Sequence, residues 1–512
     1  MKKLCLLLVT IFFISSPVFA TPFPDPSVLE VDPALLPPPI EGDFSVQPPL
    51  KPPSPSEESD FSYASGLLYS TIMGLTAADT ESIKQPELSI LSTVIGSVNM
   101  TNDSYQDTEP AVVALTIGNT DYITTAYIKF PSSRFRIYTA TTNDYFNSIY
   151  HRLIYVPSPY TRSADPMLDA NIYSIGIAPK RVYLTGLLLD DGATNTAIAV
   201  WRTDNGGLWW TSPTFVASSN NSGYPVDKPD IAVSWHSGTR GHVYVAYVQL
   251  GNPDSLYVAR SRDGGLSFEP PVLVTTANDI NGAQVLVNLY YGYVYVLWTD
   301  FEDDAIKMSS SYDYGQTWTY PETAATATVK MLGGGSSDHI YGGSRGIRAG
   351  SLPMARFNWV ANRISVVWHE KEPGSTTPPK TEVYYTSKSP SGWQSKVRVN
   401  DVQTNDQFMP GIDFDTSGNL IVTFFDRRDD PGNLLYHEYM SRISPTGTLL
   451  EPNTRVSTFQ SDPQAYSYYS TYIFLGDYQD NWDWTFIPGE YYIPSWVGIP
   501  SLGDIYLSVI QP

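Results

Sequence analysis

Four arginines occur as two close pairs in an otherwise acidic chain of formal charge -21. Arg345 and Arg348 lie three residues apart in the glycine-rich segment GGGSSDHIYGGSRGIRAGS, and Arg427 and Arg428 are adjacent in FFDRRDDPGN. A guanidinium is a planar fork that binds a carboxylate through two parallel hydrogen bonds, so these pairs suit recognition of an acidic ligand. They could equally pair with nearby carboxylates of the chain, such as Asp338, Asp429 and Asp430.

Other polar and aromatic residues stand where apolar runs end, in the strings WTDFEDD, WHEKE and LGDYQ. The candidate catalytic residues are Asp300, Asp426 and Tyr478. The candidate ligand-binding residues, besides the four arginines, are His339, Trp298 and Trp368. A structural interpretation competes with this one, because Asp300 and Asp426 occupy a repeat position where an aspartate could simply hydrogen-bond a turn.

A repeat of roughly 50 to 60 residues positions all of these side chains. Within one unit the first apolar run often begins just after a proline. The second run is strongly apolar, as in YITTAYIKF, HVYVAYVQL and LIVTFFD, and the third run ends at a turn. Four antiparallel strands per unit, repeated around a ring, predict an all-β fold, a β-propeller. Units beginning near residues 109, 165, 227, 281, 350, 405 and 472 predict seven four-stranded blades, with six as the alternative.

The last unit stops after three strands. The segment STVIGSVNM, from Ser92 to Met100, resembles the outer strands of other units. We therefore expect an N-terminal strand to complete the last blade and close the ring.

The turns after the third strands share a pattern, which is complete in SRDGGLSF and SYDYGQTW. In such a turn the aspartate accepts hydrogen bonds from backbone N–H groups, the glycine takes a positive φ, and the aromatic residue packs between blades. The pattern resembles the Asp-box, or bacterial neuraminidase repeat, of the sialidase superfamily. The matching residues, predicted to be structural, are Asp263, Gly265, Asp313, Gly315 and Trp318, with a partial copy at Asp204 and Gly206 and a degenerate one at Asp144.

The resemblance implies a sialidase-like propeller whose ligand lies on the face opposite these turns. Sialidases of this fold hold the substrate carboxylate with three arginines, and they use a Tyr/Glu pair as nucleophile and an aspartate as acid/base. Their first blade begins with an aromatic-Arg-Ile/Leu-Pro string. Here the nearest string is FRIY, from Phe135 to Tyr138, with tyrosine in place of proline. This departure favours binding over hydrolysis.

The N-terminal segment indicates export. Residues 1–20 have a basic start, an apolar core and a small-x-small end at Ala20, which predicts a signal peptide. Residues 21–58 are proline-rich and predict a disordered linker, residues 59–87 form a poorly defined lead-in, and residues 88–512 form the propeller. The expected location is secreted, periplasmic or at the cell surface, with no membrane span after cleavage.

The amino-acid composition limits which ligands and cofactors the protein is expected to bind. The only cysteine, Cys5, lies in the signal, and the negative charge disfavours nucleic acid. No cofactor is expected, and structural Ca²⁺ at the acidic strings DFEDD and DRRDD stays an open alternative without EF-hand spacing. The preferred hypothesis is a module that recognises a glycan or a surface protein. The alternatives are an exo-acting glycoside hydrolase of sialidase type and a structural part of a cell-surface assembly.

Overall fold

The computed structural model describes residues 92–131, 134–172, 180–219, 223–333, 339–372, 380–465, 472–487, 489–500 and 503–511. The predicted signal, linker and lead-in all lie outside the described residues, as does Asp338. The described part of the chain holds no helix that is long and apolar enough to cross a membrane.

Seven four-stranded antiparallel blades form a ring, which confirms the all-β propeller and the count of seven. Six blades use their strands in chain order from the central channel outwards, and the seventh takes its outermost strand from the N-terminal end of the described chain. The innermost strands are β2 (Asp107–Ile117), β6 (Arg162–Asn171), β10 (Val226–Val233), β14 (Ile280–Val287), β19 (Met354–Asn358), β24 (Gln407–Phe414) and β29 (Asp480–Ile487). The second strands are β3 (Thr120–Lys129), β7 (Arg181–Leu189), β11 (Val243–Gln249), β15 (Val294–Asp300), β20 (Arg363–Lys371), β25 (Leu420–Asp426) and β30 (Gly489–Gly498).

The third and outer strands complete the blades. The third strands are β4 (Arg136–Thr142), β8 (Thr196–Thr203), β12 (Asp254–Ser261), β16 (Ala305–Ser311), β21 (Thr381–Ser389), β26 (His437–Ile443) and β31 (Asp504–Gln511). The outer strands are β5 (Tyr150–Leu153), β9 (Thr214–Ser218), β13 (Val272–Ala277), β17 (Glu322–Thr326), the split pair β22 (Gly392–Trp393) and β23 (Val397–Arg398), β27 (Thr454–Arg455) and β1 (Thr93–Asn99).

The N-terminal strand closes the ring, as expected from the sequence. β1 pairs antiparallel with β31, from Thr93 opposite Gln511 to Asn99 opposite Tyr506. Outside the blades, β18 (Gly346–Arg348) pairs in parallel with β28 (Tyr472–Phe474), and a single 3₁₀ turn is described at Pro463–Ala465.

The core lies between the blades. Strands such as β11, with the sequence VYVAYVQ, are buried on both faces because a neighbouring blade covers each face. Four of the largest fully buried side chains are tryptophans of second or third strands: Trp201, Trp298, Trp368 and Trp496.

The antiparallel order gives the ring two distinct faces. The turn face carries the loops from first to second strand and from third to fourth strand. The connection face carries the loops from second to third strand and from one blade to the next.

The predicted turn contacts are present on the turn face. Asp263 accepts hydrogen bonds from Leu266 N at 3.0 Å and Ser267 N at 2.9 Å, and Asp313 accepts equivalent bonds from Gln316 and Thr317. A Cβ on Gly315, whose φ is +86°, would meet the Tyr244 ring of the preceding blade at 3.1 Å. Trp318 is partly buried against the core between two blades.

The turns in the first two blades show how the pattern degenerates. Asp144 keeps its role, accepting Ser148 N at 2.8 Å. In the second blade, however, Asn205 accepts Trp209 N at 3.0 Å, and Gly207 N donates to Thr203 Oγ1. Asn205 and Gly207 therefore hold the positions in the turn that the sequence pattern assigned to Asp204 and Gly206. Asp204 instead pairs with Arg181.

Candidate functional site

The innermost strands share a bulge near their starts, at the connection-face end of the channel. In five blades the register with the second strand shifts there. One residue in each bulge has a positive φ, and these residues are Glu109, Asp165, Lys228, Gly282 and Met409. Bulges redirect side chains and are common next to functional sites.

Three of these bulge residues converge with two others in a channel ion cluster, made of Glu109, Asp165, Lys228, Arg348 and Asp477. Lys228 Nζ lies 2.5 Å from Asp165 Oδ1 and 3.4 Å from Glu109 Oε1, and it also contacts the carboxylate of Asp477. Arg348 Nη2 lies 2.5 Å from Asp477 Oδ2. The cluster joins blades 1, 2, 3 and 7 to the connection between blades 4 and 5.

Opposing effects set the charges of this cluster. Burial acts against the charge of Lys228, but the carboxylates of Asp165, Asp477 and Glu109 outweigh it and raise the pKa of the lysine well above its usual value. Burial likewise acts against ionised Asp477, but Arg348 and Lys228 outweigh it and lower the pKa of the aspartate. Oxygens of the three carboxylates lie within 4.8 Å of one another, a spacing that would suit a cation, and the ammonium of Lys228 contacts all three.

Tyr478 borders the channel ion cluster. Its hydroxyl donates to Pro166 O at 2.7 Å, and Lys228 Nζ lies 5.9 Å from the ring centroid. Burial, followed by the charges of Glu109 and Asp165, raises the pKa of the phenol well above its usual value. Tyr478 is therefore a neutral hydrogen-bond donor in this setting, whereas a tyrosine nucleophile would need its pKa lowered.

The other predicted residues of the connection between blades 4 and 5 lie near the surface. Arg345 Nη2 donates to Gln464 O at 3.1 Å, and the His339 ring stacks on Tyr472 with centroids 5.5 Å apart. Of the first arginine pair, only Arg348 therefore belongs to the channel ion cluster.

Arg427, Arg428 and Asp426 form a separate group at the boundary of blades 5 and 6. Arg427 is fully buried, with Nη1 3.1 Å from Asp406 Oδ2 and in contact with Tyr341 O. Arg428 Nη2 lies 2.7 Å from Asp426 Oδ2, and its Nη1 lies 2.6 Å from Asp401 Oδ1. Both arginines thus have carboxylate partners, though not the Asp429 and Asp430 considered from the sequence.

The remaining predicted residues have structural contacts. Asp300 accepts a hydrogen bond from Asp303 N at 3.0 Å, as the turn interpretation expects, and burial raises its pKa. Trp298 and Trp368 are 1% and 0% exposed, so their rings pack against protein on all sides.

A cavity of about 190 Å³ occupies the opposite half of the channel. Apart from Trp482, its lining residues come from the second halves of innermost strands and from the residues just after them, so it lies on the side of the turn face. Its aromatic wall comes from four blades and consists of Trp235, Phe357, Trp359, Phe414 and Trp482. Trp235 is held in place because its Nε1 donates to Ala170 O at 2.9 Å. The sequence had placed the ligand on the other face.

Charged side chains stand in the same cavity. Asp169, Asp230, Arg356 and Asp413 line it, and Arg356 contacts Asp480. Asp169 Oδ2 accepts Val233 N of the next blade at 2.7 Å, and Asp230 Oδ2 accepts Val285 N of the next blade at 2.6 Å. These carboxylates therefore also tie consecutive innermost strands together.

Burial raises the pKa of Asp169 and that of Asp230 to about 7 each, and hydrogen bonds from backbone amides offset only part of this effect. Both groups thus change protonation near neutral pH. Sequence reasoning missed this cavity. The available signals were an aspartate inside an apolar innermost strand, as in KPDIAV, and a tryptophan just after it, as in VSWH and FNWV.

No protein-family model matches the sequence, and no curated protein sequence matches it. Solved structures of similar shape include a protein of unknown function from Dyadobacter fermentans, with a TM-score of 0.44, 12% identity, and coverage of 82% of this chain and 99% of that one. The alpha-L-arabinanase of Penicillium chrysogenum has a TM-score of 0.43, 12% identity, and coverage of 82% and 98%. The intramolecular trans-sialidase of Ruminococcus gnavus has a TM-score of 0.40, 10% identity, and coverage of 65% and 92%. The seven-bladed ring described above is the β-propeller that the sequence predicts.

Proposed function

We propose that this protein is an exported propeller that binds a glycan, free or attached to a surface protein, in the channel cavity. The observation that carries the proposal is the wall of tryptophans, Trp235, Trp359 and Trp482, in a cavity that polar groups also line. Aromatic faces pack against the C–H surface of a sugar ring, while a few placed polar groups orient its hydroxyls. A volume of about 190 Å³ is below the roughly 300 to 1,000 Å³ of pockets for drug-sized ligands, so it suits about one sugar ring.

Two observations favour binding over hydrolysis. Tyr478, a candidate catalytic residue, keeps its proton because its pKa is raised. Asp426, another candidate catalytic residue, is held by Arg428 at the boundary of blades 5 and 6, in a group apart from Tyr478. A nucleophile and an acid/base must flank one bond to act together.

Calorimetric titration of the purified mature protein with a panel of mono- and disaccharides tests the proposal. A sugar that binds should lose about tenfold or more in affinity when Trp235 or Trp359 is replaced by alanine, since each ring buries a large apolar face. Tyr320→Ala is the matched control, because Tyr320 is 96% exposed outside the cavity. Equal losses in all three variants, or binding that none of them alters, would place the ligand elsewhere.

The hydrolase alternative has one observation in its favour, because Tyr478, Arg348 and the Glu109 carboxylate lie together at the connection-face end of the channel. A fluorogenic sialoside and other aryl glycosides test it. Turnover that disappears both in Tyr478→Phe and in an Arg345/Arg348 double alanine variant would establish a sialidase-type enzyme. If the protein binds a saccharide but hydrolyses none of these substrates, the result supports the binding function over the hydrolase alternative.

Export is the second part of the proposal and rests on residues 1–20. Mass spectrometry of the protein recovered outside the cytoplasm should show a chain that begins at Thr21. An intact Met1 on exported protein would contradict the predicted signal.

A further inference from the structure

The channel cavity is bordered by more acidic than basic side chains. Four carboxylates, from Asp169, Asp230, Asp413 and Asp480, act on one guanidinium, that of Arg356. These groups come from the innermost strands of blades 2, 3, 6, 7 and 5 respectively. One cation among four carboxylates leaves a surplus of negative charge when all are ionised.

The single guanidinium is already occupied within the protein. Arg356 contacts Asp480, and it donates to Asn481 O at 3.3 Å and to Ala355 O at 3.1 Å. Asp169 and Asp230 instead accept hydrogen bonds from the neutral backbone amides of Val233 and Val285. When it is ionised, a carboxylate held by amides still has lone pairs for another donor.

The aromatic wall reinforces this preference. A cation is attracted to the face of a tryptophan ring when it lies within about 6 Å of the ring centre. Trp235, Trp359 and Trp482 therefore offer a cation an attractive surface next to the carboxylates, in a cavity where water is partly excluded. An anionic sugar would meet repulsion at the same place.

We infer that the channel cavity selects a sugar bearing a positively charged amine, with the amine at Asp169 and Asp230 and the apolar ring face on the tryptophans. This inference rests on the proposed function, since it names the chemical class of the glycan. It differs from the acidic ligand that the two arginine pairs had suggested.

The inference also gives the site a pH dependence. Asp169 and Asp230, with pKa values of about 7, lose their protons between about pH 6 and pH 8. The other ionisable groups that face them are Arg356, Asp413 and Asp480. A ligand of fixed positive charge should therefore bind on the order of tenfold more tightly at pH 8 than at pH 6, if it prefers one ionised carboxylate.

The decisive experiment is calorimetric titration of the mature protein with matched probes. The disaccharide of two glucosamine units at pH 6.5 is compared with its di-N-acetyl form, which has the same rings without the charge. The charged form should bind about tenfold more tightly or better, the effect of one charged hydrogen bond. Choline and its uncharged isostere 3,3-dimethylbutanol, measured from pH 6 to pH 8, test the fixed-charge dependence.

Conservative variants localise the effect. Asp169→Asn and Asp230→Asn keep a carbonyl oxygen for the backbone amide but remove the negative charge, so each should lose the preference for the amine and flatten the pH profile. Asp190→Asn is the matched control, since Asp190 accepts Thr194 N at 2.9 Å outside the channel. A melting temperature close to that of the parent protein shows that each variant folds.

The outcomes separate the two proposals. Equal affinity for both disaccharides, lost in Trp235→Ala, overturns the cation inference and leaves the glycan function. Binding of choline without binding of any saccharide overturns the glycan function and keeps the cation preference. Binding of neither class overturns both.

Discussion

The ammonium of Lys228 in the third blade lies 2.5 Å from the carboxylate of Asp165 in the second blade. Both residues occupy the bulge of an innermost strand with a positive φ, at +48° and +52°. The repeated bulge therefore aims the two side chains at each other across a blade boundary. Because Glu109 and Asp477 share the same ammonium, one lysine connects four blades.

Lys228→Met should destabilise the ring strongly. The change leaves three buried carboxylates without their shared cation, and breaking a buried pair in this way costs about 3 to 5 kcal/mol. Urea denaturation measures the loss. Lys307→Met serves as the control, since Lys307 pairs with the exposed Asp303 and should change stability by about 0.5 kcal/mol or less. Similar losses in the two variants would contradict the role of the cluster.

The stability of the protein should fall as pH rises from about 4 to 7. In the folded state Asp169 and Asp230 keep their protons up to about pH 7, whereas in the unfolded chain aspartates lose them near pH 4. The unfolded state then binds fewer protons in this window, so the free energy of unfolding decreases. Melting curves at pH 5 and pH 7.5 should show a smaller decrease for Asp230→Asn than for the parent protein.

Asp190→Asn is the control for this pH effect. Burial tends to raise the pKa of Asp190, but hydrogen bonds from Thr194 and Asn195 outweigh it and lower the pKa. Asp190 therefore affects the pH dependence of stability only below about pH 4. Between pH 5 and pH 7.5 the melting temperature of the variant should change with pH as that of the parent protein does. The prediction fails if Asp230→Asn does the same.

The turn of the second blade should depend on Asn205 and not on Asp204. Asn205 accepts Trp209 N, whereas Asp204 is a half-exposed partner of Arg181. Asn205→Ala should cost on the order of 1 to 3 kcal/mol, like Asp263→Ala and Asp313→Ala, because each removes a turn acceptor. Asp204→Ala should cost about 0 to 1 kcal/mol. Thermal unfolding of the four variants measures these costs. A larger loss of stability in Asp204→Ala than in Asn205→Ala would show that Asp204 is the turn acceptor after all.

Removal of the closing strand should make the protein aggregate. Deletion of residues 21–100 removes β1 and leaves β31 as an unpaired edge, which is a template for association between chains. Deletion of residues 21–58 spares β1 and should leave the melting temperature nearly unchanged. Light scattering of the two truncated proteins provides the comparison. Equal behaviour would show that β1 is dispensable.

Local signals in the sequence were sufficient to predict the repeat and therefore the architecture. Alternating apolar runs and the turns at Asp263 and Asp313 are local signals, and their spacing predicted seven blades and a closing N-terminal strand. Such signals depend on contacts within one hairpin, where a few neighbouring residues decide the conformation.

The contacts between charged side chains, in contrast, depend on the folded ring. Lys228 contacts residues 63 and 119 positions earlier in the chain, and Arg356 contacts Asp480, 124 positions later. Arg427 likewise contacts Tyr341 O, 86 positions earlier, and Arg428 pairs with Asp401, 27 positions earlier. The cavity is decided in the same way, since its wall combines one or two side chains from each of several blades. Such sites form because ring closure brings the innermost strands around one axis, a condition that no local pattern in the chain records.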